Sequence, residues 1–97
     1  MSKVNVTIVA TINPEGKEAL SHYLEEVSHL YKEVEAKSIQ KFKITKPLIG
    51  DYAPSLVSIM EFPNIASLNR VFESDIYKKL LPYREKAFSK LEAYVSE

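Results

Sequence analysis

The chain contains no cysteine and no tryptophan, and only 2 of its 97 residues are glycine. The absence of cysteine excludes disulfide bonds, thiolate nucleophiles and cysteine-ligated zinc or iron–sulfur sites. The scarcity of glycine leaves no glycine-rich loop of the kind that binds the phosphates of flavin or nicotinamide cofactors. The sequence therefore predicts a protein that works without a bound cofactor.

The sequence has no excess of charge of either sign, because 13 Lys and Arg residues balance 13 Asp and Glu residues. A neutral chain has no positive field that would attract nucleic acid or an anionic bilayer. It also lacks an apolar run of the roughly 18 residues that a membrane span requires, and its first residues alternate in polarity, unlike a signal peptide. We therefore expect a cytoplasmic protein with neither a nucleic acid nor a membrane as partner.

Hydrophobic periodicity predicts a first strand followed by a long helix. Residues 3–12 alternate strictly, with one apolar face and one face that mixes small polar groups with Val9. Asn13 followed by Pro14 predicts the start of the helix, since Asn caps helices and Pro fits the first helical position. Apolar residues at helical spacing continue the helix to Val34, so that one stripe faces the sheet.

The second half predicts two more strands, a broken helical segment and a last strand. Residues 37–46 alternate and contain four lysines, which is typical of an edge strand, and residues 56–62 form an apolar strand. Asn64 predicts the start of a helical segment that Pro82 breaks, and residues 91–97 predict a short final strand. The side chains expected to pack this helical layer against the sheet are Ile65, Leu68, Val71, Phe72, Ile76 and Leu80.

The predicted order β-α-β-β-α-β is the split βαβ pattern of the ferredoxin-like fold. We expect one α+β domain over residues 1–97, with a four-stranded antiparallel sheet that carries its helices on one face. The other face would expose Asn5, Thr7, Val9 and Thr11 together with apolar residues of the third strand. A second copy of the chain is the economical cover, which predicts a homodimer through the sheet face with a small, partly polar interior.

The run from Val57 to Arg84 combines an apolar strand ending in Glu-Phe-Pro, a short helix, a Phe/Ser/Tyr pattern and an arginine. These features are Glu61, Phe62, Pro63, Phe72, Ser74, Tyr77 and Arg84. The pattern resembles the dimeric α/β-barrel superfamily and, within it, domain-of-unknown-function family 1330, a neighbour of the antibiotic-biosynthesis monooxygenases. The resemblance implies a dimer and, as in some relatives, oxidation of phenolic substrates without a cofactor. Haem-degrading relatives carry an iron-binding histidine after the third strand, and this chain has none there.

Tyr77 and Arg84 stand seven residues apart, which would place them on one helix face if Pro82 did not intervene. In one interpretation Arg84 binds an anionic or enolic substrate oxygen and Tyr77 supplies a hydroxyl at the mouth of a cavity. Tyr23 and Phe72 are the further substrate contacts in this interpretation. In the alternative, Arg84 pairs with a nearby glutamate and Tyr77 is a core residue whose hydroxyl reaches the surface.

Glu61 ends a strongly apolar strand and is the candidate general base. If it points into a barrel interior, it is suited to remove a proton from an activated C–H or O–H group, with Arg84 as the anion partner. In the alternative it reaches solvent or pairs with Arg70 or Arg84.

His22 and His29 lie with Glu25 and Glu26 on the polar side of the first helix. The spacing from Glu26 to His29 could hold a metal ion between adjacent turns, but such sites recruit ligands from other helices, and the chain has only 2 histidines. A solvated helix face is the favoured interpretation.

Two functional hypotheses follow. In the first, the cavity binds a small, partly apolar organic molecule and supports monooxygenase-like or isomerase-like chemistry without a cofactor. In the second, the protein is a non-catalytic dimer that senses a ligand or mediates an interaction. The sequence leaves open whether the protein is an enzyme.

Overall fold

A computed structural model describes residues 3–96 as a four-stranded antiparallel sheet with helices on one face. The strands lie in the order β2-β3-β1-β4, so that β2 and β4 are the edges. The elements are β1 (Val4–Ile12), α1 (Lys17–Glu33), β2 (Lys37–Lys43), β3 (Leu56–Phe62), α2 (Ile65–Phe72), α3 (Asp75–Lys79), α4 (Leu81–Ala87) and β4 (Phe88–Ser96). This is the predicted ferredoxin-like arrangement, and the lysine-rich strand is an edge as expected. No helix within residues 3–96 is long and apolar enough to cross a membrane.

The long helix α1 begins at Lys17, later than the sequence predicts. Asn13 does not cap it. Its side-chain oxygen accepts a hydrogen bond from the Glu15 N–H (3.1 Å), and its carbonyl accepts one from the Gly16 N–H (3.0 Å). Pro14 therefore lies in a turn before the helix, since an Asn side chain that bonds to the backbone two residues on favours a turn.

The second helical segment consists of three short helices, and each begins at a residue that favours a helix start. Asn64 caps α2 as predicted, since its side chain accepts from the Ser67 N–H at 2.8 Å. Ser74 caps α3 by accepting from the Tyr77 N–H at 3.1 Å. Pro82 is the second residue of α4, where a missing N–H costs nothing, so the predicted break is present.

The core lies between the sheet and the helices, with two departures from the predicted set. Ile65 and Ile76 are each 50% exposed. Ile65 begins α2 at its outer end, and the cap at Ser74 restarts the helical phase so that Tyr77 instead of Ile76 turns inward. The strand β4 begins at Phe88, earlier than predicted, and Glu97 lies outside the described residues. The buried core consists of Val4, Val6, Ala10, Tyr23, Val27, Leu30, Val34, Met60, Phe62, Leu68, Val71, Tyr77, Leu80, Ala87 and Phe88.

The strand register places one row of side chains across the whole sheet. Ser58 pairs with Ile8 of β1 and with Lys41 of β2, and Ile8 pairs with Ala93 of β4. Side chains at paired positions of neighbouring strands point to the same face of a sheet. Lys41, Ser58, Ile8 and Ala93 therefore form one row, which we call the transverse row, and it faces the helices.

A β-bulge in β2 decides which of its residues joins this row. The pairing shifts between Ser38 and Gln40, so that Ile39 is the extra residue. The strict alternation predicted for this strand is therefore interrupted. As a result Lys41, and not Gln40, lies opposite Ser58.

The face of the sheet opposite the helices, which we call the open face, mixes polar and apolar side chains. Phe42 and Tyr94 on this face are 46% and 55% exposed. The connection between β2 and β3 folds against one end of it, where the Tyr52 hydroxyl contacts that of Thr11. The register assigns to the open face Asn5, Thr7, Val9, Thr11, Lys37, Gln40, Phe42, Val57, Ile59, Glu61, Lys90, Glu92, Tyr94 and Ser96.

Candidate functional site

A cavity of about 710 Å³ lies between the sheet and the helices. All four strands and all four helices contribute to its lining, and the transverse row forms part of its floor. A cavity of this size is within the range of roughly 300–1,000 Å³ that small-molecule sites occupy. The fold therefore leaves room for a small organic molecule beneath α1.

Three polar side chains form a hydrogen-bonded chain at the wall of this cavity. The Arg84 Nη1 donates to the Tyr77 hydroxyl at 3.2 Å, and the hydroxyl oxygens of Tyr77 and Tyr23 lie 2.8 Å apart. The Arg84 guanidinium also lies 5.8 Å from the centre of the Tyr77 ring, a cation–π distance. We call these three residues the tyrosine–arginine chain.

The tyrosine–arginine chain leaves one phenol proton without a hydrogen-bond acceptor. The hydrogen bond between Tyr23 and Tyr77 uses one of their two O–H groups, and Arg84 uses a lone pair of Tyr77 without supplying an acceptor. The remaining O–H can donate to a ligand oxygen. The arrangement can therefore offer a hydrogen bond and a nearby positive charge to the same oxygen atom.

Each member of the tyrosine–arginine chain is placed by a different helix. Tyr23 lies on the buried stripe of α1, the Ser74 cap turns Tyr77 inward from α3, and the restart at Pro82 brings Arg84 of α4 against Tyr77. Among residues 3–96 Arg84 forms no ion pair, and the Tyr77 hydroxyl is buried. Tyr77 is thus a core residue, as the alternative interpretation has it, but neither the surface position of its hydroxyl nor the ion pair of Arg84 is found among residues 3–96.

Burial keeps the phenols of Tyr23 and Tyr31 protonated. Desolvation raises the pKa of Tyr23 far above its usual value, and the neighbouring Tyr77 adds to the effect by charge repulsion and by its hydrogen bond. Burial also raises the pKa of Tyr31. Tyr23 therefore serves as a hydrogen-bond donor at neutral pH and is unsuited to act as a base.

Phe72 joins the same wall of the cavity. Its ring packs edge-on against Tyr77 with centroids 5.0 Å apart, and Tyr31 lies 6.4 Å from it. The structure thus brings together four of the predicted site residues: Tyr23, Phe72, Tyr77 and Arg84.

Glu61 lies apart from this group. It pairs in register with Asn5 on the open face, and its carboxylate is 3.5 Å from the Lys3 ammonium. Its side chain is 26% exposed. The structure therefore places Glu61 and Arg84 on opposite sides of the sheet, and a catalytic role for Glu61 stays a prediction.

Lys41 and Ser58 line the cavity although the sequence pattern did not indicate them. The lysines of β2 suggest only edge protection, and a bulge that has no clear sequence signal places Lys41 on the helix-facing side of the sheet. The single serine among the apolar residues of β3 is the one sign that a polar group faces the core.

The polar side of α1 does not assemble a metal site. Within residues 3–96 no group of three or more His, Cys, Asp or Glu residues could hold a metal ion. His22 instead stacks on Tyr83, with ring centroids 4.2 Å apart.

The fold and the cavity define a ferredoxin-like α+β protein with an internal space of ligand size. Residues 6–96 match the family described as Domain of unknown function (DUF1330), and the chain belongs to this family. No curated protein matches the sequence significantly.

Solved structures with this fold include a protein of unknown function from Rhodopseudomonas palustris, with TM-score 0.87 and 17% identity over 97% of this chain and 80% of that one. A dimeric protein of unknown function from Bacteroides fragilis has TM-score 0.62 and 8% identity over 98% of this chain and 95% of that one. SnoaB, a cofactor-independent oxygenase from Streptomyces nogalater, has TM-score 0.66 and 8% identity over 100% of this chain and 93% of that one. At these identities the likeness shows the fold alone.

Proposed function

We propose that this protein is a homodimer that binds a small, partly apolar organic molecule in the cavity between the sheet and the helices. The observation that carries the proposal is the tyrosine–arginine chain, which presents a free phenol proton and a guanidinium to a largely apolar space.

The apolar lining supplies the favourable free energy of binding in this proposal. Ile8, Ala10, Leu56, Met60 and Leu91 face the cavity from three strands of the sheet. Each Å² of apolar ligand surface that they cover contributes about 25 cal/mol. A few polar groups then fix the orientation of the ligand, which is the usual division of roles in small-molecule sites.

The tyrosine–arginine chain suits a ligand oxygen that carries full or partial negative charge. A guanidinium and a buried O–H that point at one oxygen stabilise a phenolate, an enolate or a carboxylate, because hydrogen bonds to charged groups are stronger than neutral ones. A phenol, an enol or a carbonyl compound is therefore the class of group that we assign to this end of the cavity.

Catalysis without a cofactor is the second candidate function. A group that stabilises an enolate or phenolate would also lower the barrier to forming that anion, as monooxygenase-like and isomerase-like reactions require. The fold shared with SnoaB, which is described as a cofactor-independent oxygenase, favours this candidate. Within residues 3–96 the carboxylate that lines the cavity is Glu85, beside Arg84.

The homodimer is proposed from the open face. Val9, Val57 and Ile59 lie side by side there, and an uncovered apolar sheet surface favours association. The dimeric protein from Bacteroides fragilis, which has a similar fold, gives independent support.

Binding of 2-naphthol, a fluorescent apolar phenol, tests the proposed site. We expect saturable binding to the wild-type protein and a loss of about tenfold in affinity for Arg84→Ala, which corresponds to a lost charged hydrogen bond of about 1.4 kcal/mol. Arg70→Ala is the matched control, because Arg70 is an exposed arginine of α2 that does not line the cavity. Absence of saturable binding, or equal affinities for the two variants, would overturn the proposal.

A further inference from the structure

The floor of the cavity is polar at one end and apolar at the other. Along the transverse row, Lys41 and Ser58 occupy the side of β2 and β3, whereas Ile8 and Ala93 occupy the side of β1 and β4. The tyrosine–arginine chain belongs to the helical wall and uses neither Lys41 nor Ser58. The cavity therefore contains two polar regions.

Ser58 is the polar residue in the buried set and is only 7% exposed. Ser58 lines the cavity, so its hydroxyl can donate a hydrogen bond to a ligand oxygen placed over the floor.

Lys41 is the positively charged neighbour of Ser58 in the sheet. It is paired in register with Ser58, and among residues 3–96 its ammonium has no carboxylate partner. The charged side chains that line the cavity from the helix-facing side are Lys41, Arg84 and Glu85, so positive charge predominates there. A site with this balance favours a ligand of negative charge.

We propose that Lys41 and Ser58 form a second polar subsite that binds the acid group of the ligand. The inference rests on the proposed function and names the class of ligand: an elongated apolar carboxylic acid with a second oxygen function. The carboxylate lies at Lys41 and Ser58, the apolar body lies over Ile8, and the second oxygen accepts a hydrogen bond from the tyrosine–arginine chain.

Lys43 provides a matched control for Lys41. It lies two residues further along β2, pairs with Leu56 on the same helix-facing side, and is exposed like Lys41, yet it does not line the cavity. Replacing either lysine by glutamine removes one positive charge from the same strand. A general effect of net charge on acid binding would therefore appear in both variants.

Two pairs of probes, each with and without an acid group, test the subsite. The rigid pair is 6-hydroxy-2-naphthoate and 2-naphthol, and the flexible pair is 10-hydroxydecanoate and 1-decanol, with affinities measured by fluorescence or calorimetric titration. We expect the acid of at least one pair to bind the wild-type protein about five- to tenfold more tightly, as a partly exposed charged hydrogen bond provides. Lys41→Gln should remove this gain, Ser58→Ala should reduce it, and Lys43→Gln should retain it.

The outcomes separate the two proposals. If 2-naphthol binds in an Arg84-dependent way but neither acid gains affinity through Lys41, the second subsite is overturned and the proposed function stands. Equal losses in Lys41→Gln and Lys43→Gln would also overturn the subsite, because they would indicate a general charge effect. If none of the four probes binds, the proposed function itself fails.

Discussion

Tyr23 shows how one buried residue can serve both the fold and the site. Its ring packs edge-on against Phe88 at 5.7 Å, and its hydroxyl bonds to Tyr77. Because burial favours the neutral phenol, the folded protein holds the Tyr23 proton more tightly than the unfolded chain does. The stability of the fold is therefore linked to pH.

Alkaline unfolding should report this linkage. The contribution of Tyr23 is fully present below the unfolded pKa of about 10 and is lost as the pH rises towards the higher folded value, by about 1.4 kcal/mol per pH unit. We expect Tyr23→Phe to flatten the fall in the free energy of unfolding above about pH 10, measured by urea denaturation across that range. Tyr83→Phe, which replaces an exposed tyrosine, is the matched control. Identical slopes for wild type and Tyr23→Phe would contradict the assignment.

The residues of the candidate site differ in how far the sequence could predict them. Tyr77 and Arg84 share a spacing and a family pattern, and they do lie together in the structure. Glu61 ends an apolar strand, but the side of the sheet that it faces depends on the strand register, which a single sequence does not reveal. The same limit hides Lys41, whose orientation follows from a bulge.

At the scale of elements, the turn before α1 is fixed to the end of α4. The Asn13 backbone N–H donates to the Ala87 carbonyl at 2.9 Å, and its side-chain amide donates to the Lys86 carbonyl at 3.0 Å. A Cβ atom at Gly16 would lie 2.0 Å from that Lys86 oxygen. The close approach holds α4, and with it Arg84, against the N-terminal end of α1.

Gly16→Ala should therefore disturb both stability and binding. The added methyl group meets backbone atoms that cannot rotate away, so α4 must shift, and we expect a loss of about 1–3 kcal/mol in the free energy of unfolding. The shift of Arg84 should also weaken 2-naphthol binding severalfold. Urea denaturation and fluorescence titration measure the two effects.

Gly50→Ala is the control for this experiment. Gly50 has φ +101° but open space around it, and it lies in the connection between β2 and β3, outside the cavity lining. This substitution should cost stability through backbone strain and leave 2-naphthol binding unchanged. Wild-type affinity in Gly16→Ala would contradict the positioning role of the contact.

The elements themselves were largely predictable, whereas their junctions were not. Strands and helices follow from hydrophobic periodicity that is repeated over many residues. The predicted start of α1 is wrong because the Asn13 side chain, which fits the cap pattern, is held in a turn by its bond to Glu15 and by its bond to Lys86 of α4, a residue distant in sequence. Tyr77, and not Ile76, turns inward because the cap at Ser74 sets where α3 begins. Hydrophobic periodicity alone does not reveal that starting point.

At the scale of the whole molecule, the open face and the cavity lie on opposite sides of one sheet. The residues that line the cavity reach it from the helix-facing side of the sheet and from the helices. Association through the open face would therefore leave the ligand site intact. The two parts of the proposed function can be tested separately.

Sedimentation of an open-face variant tests the homodimer. We expect the wild-type protein to sediment as a dimer at micromolar concentration and Ile59→Lys as a monomer, because the interface would bury an unpaired charge. Ile76→Lys is the control, since Ile76 is 50% exposed on the helical side of the molecule. A wild-type protein that sediments as a single chain would refute the dimer and leave the cavity proposal untouched.

The bulge at Ile39 has a consequence for how relatives could diverge. The number of residues in β2, and not their chemical identity, decides whether Lys41 or Gln40 lies opposite Ser58. Deleting one codon of β2 beyond Lys41, with both ends of the strand held in place, would remove the bulge and bring Gln40 opposite Ser58. The floor would then carry a neutral amide in place of a cation. An insertion or deletion at the surface, without any substitution inside the cavity, is thus a short evolutionary route from a protein that prefers acids to one that prefers uncharged molecules.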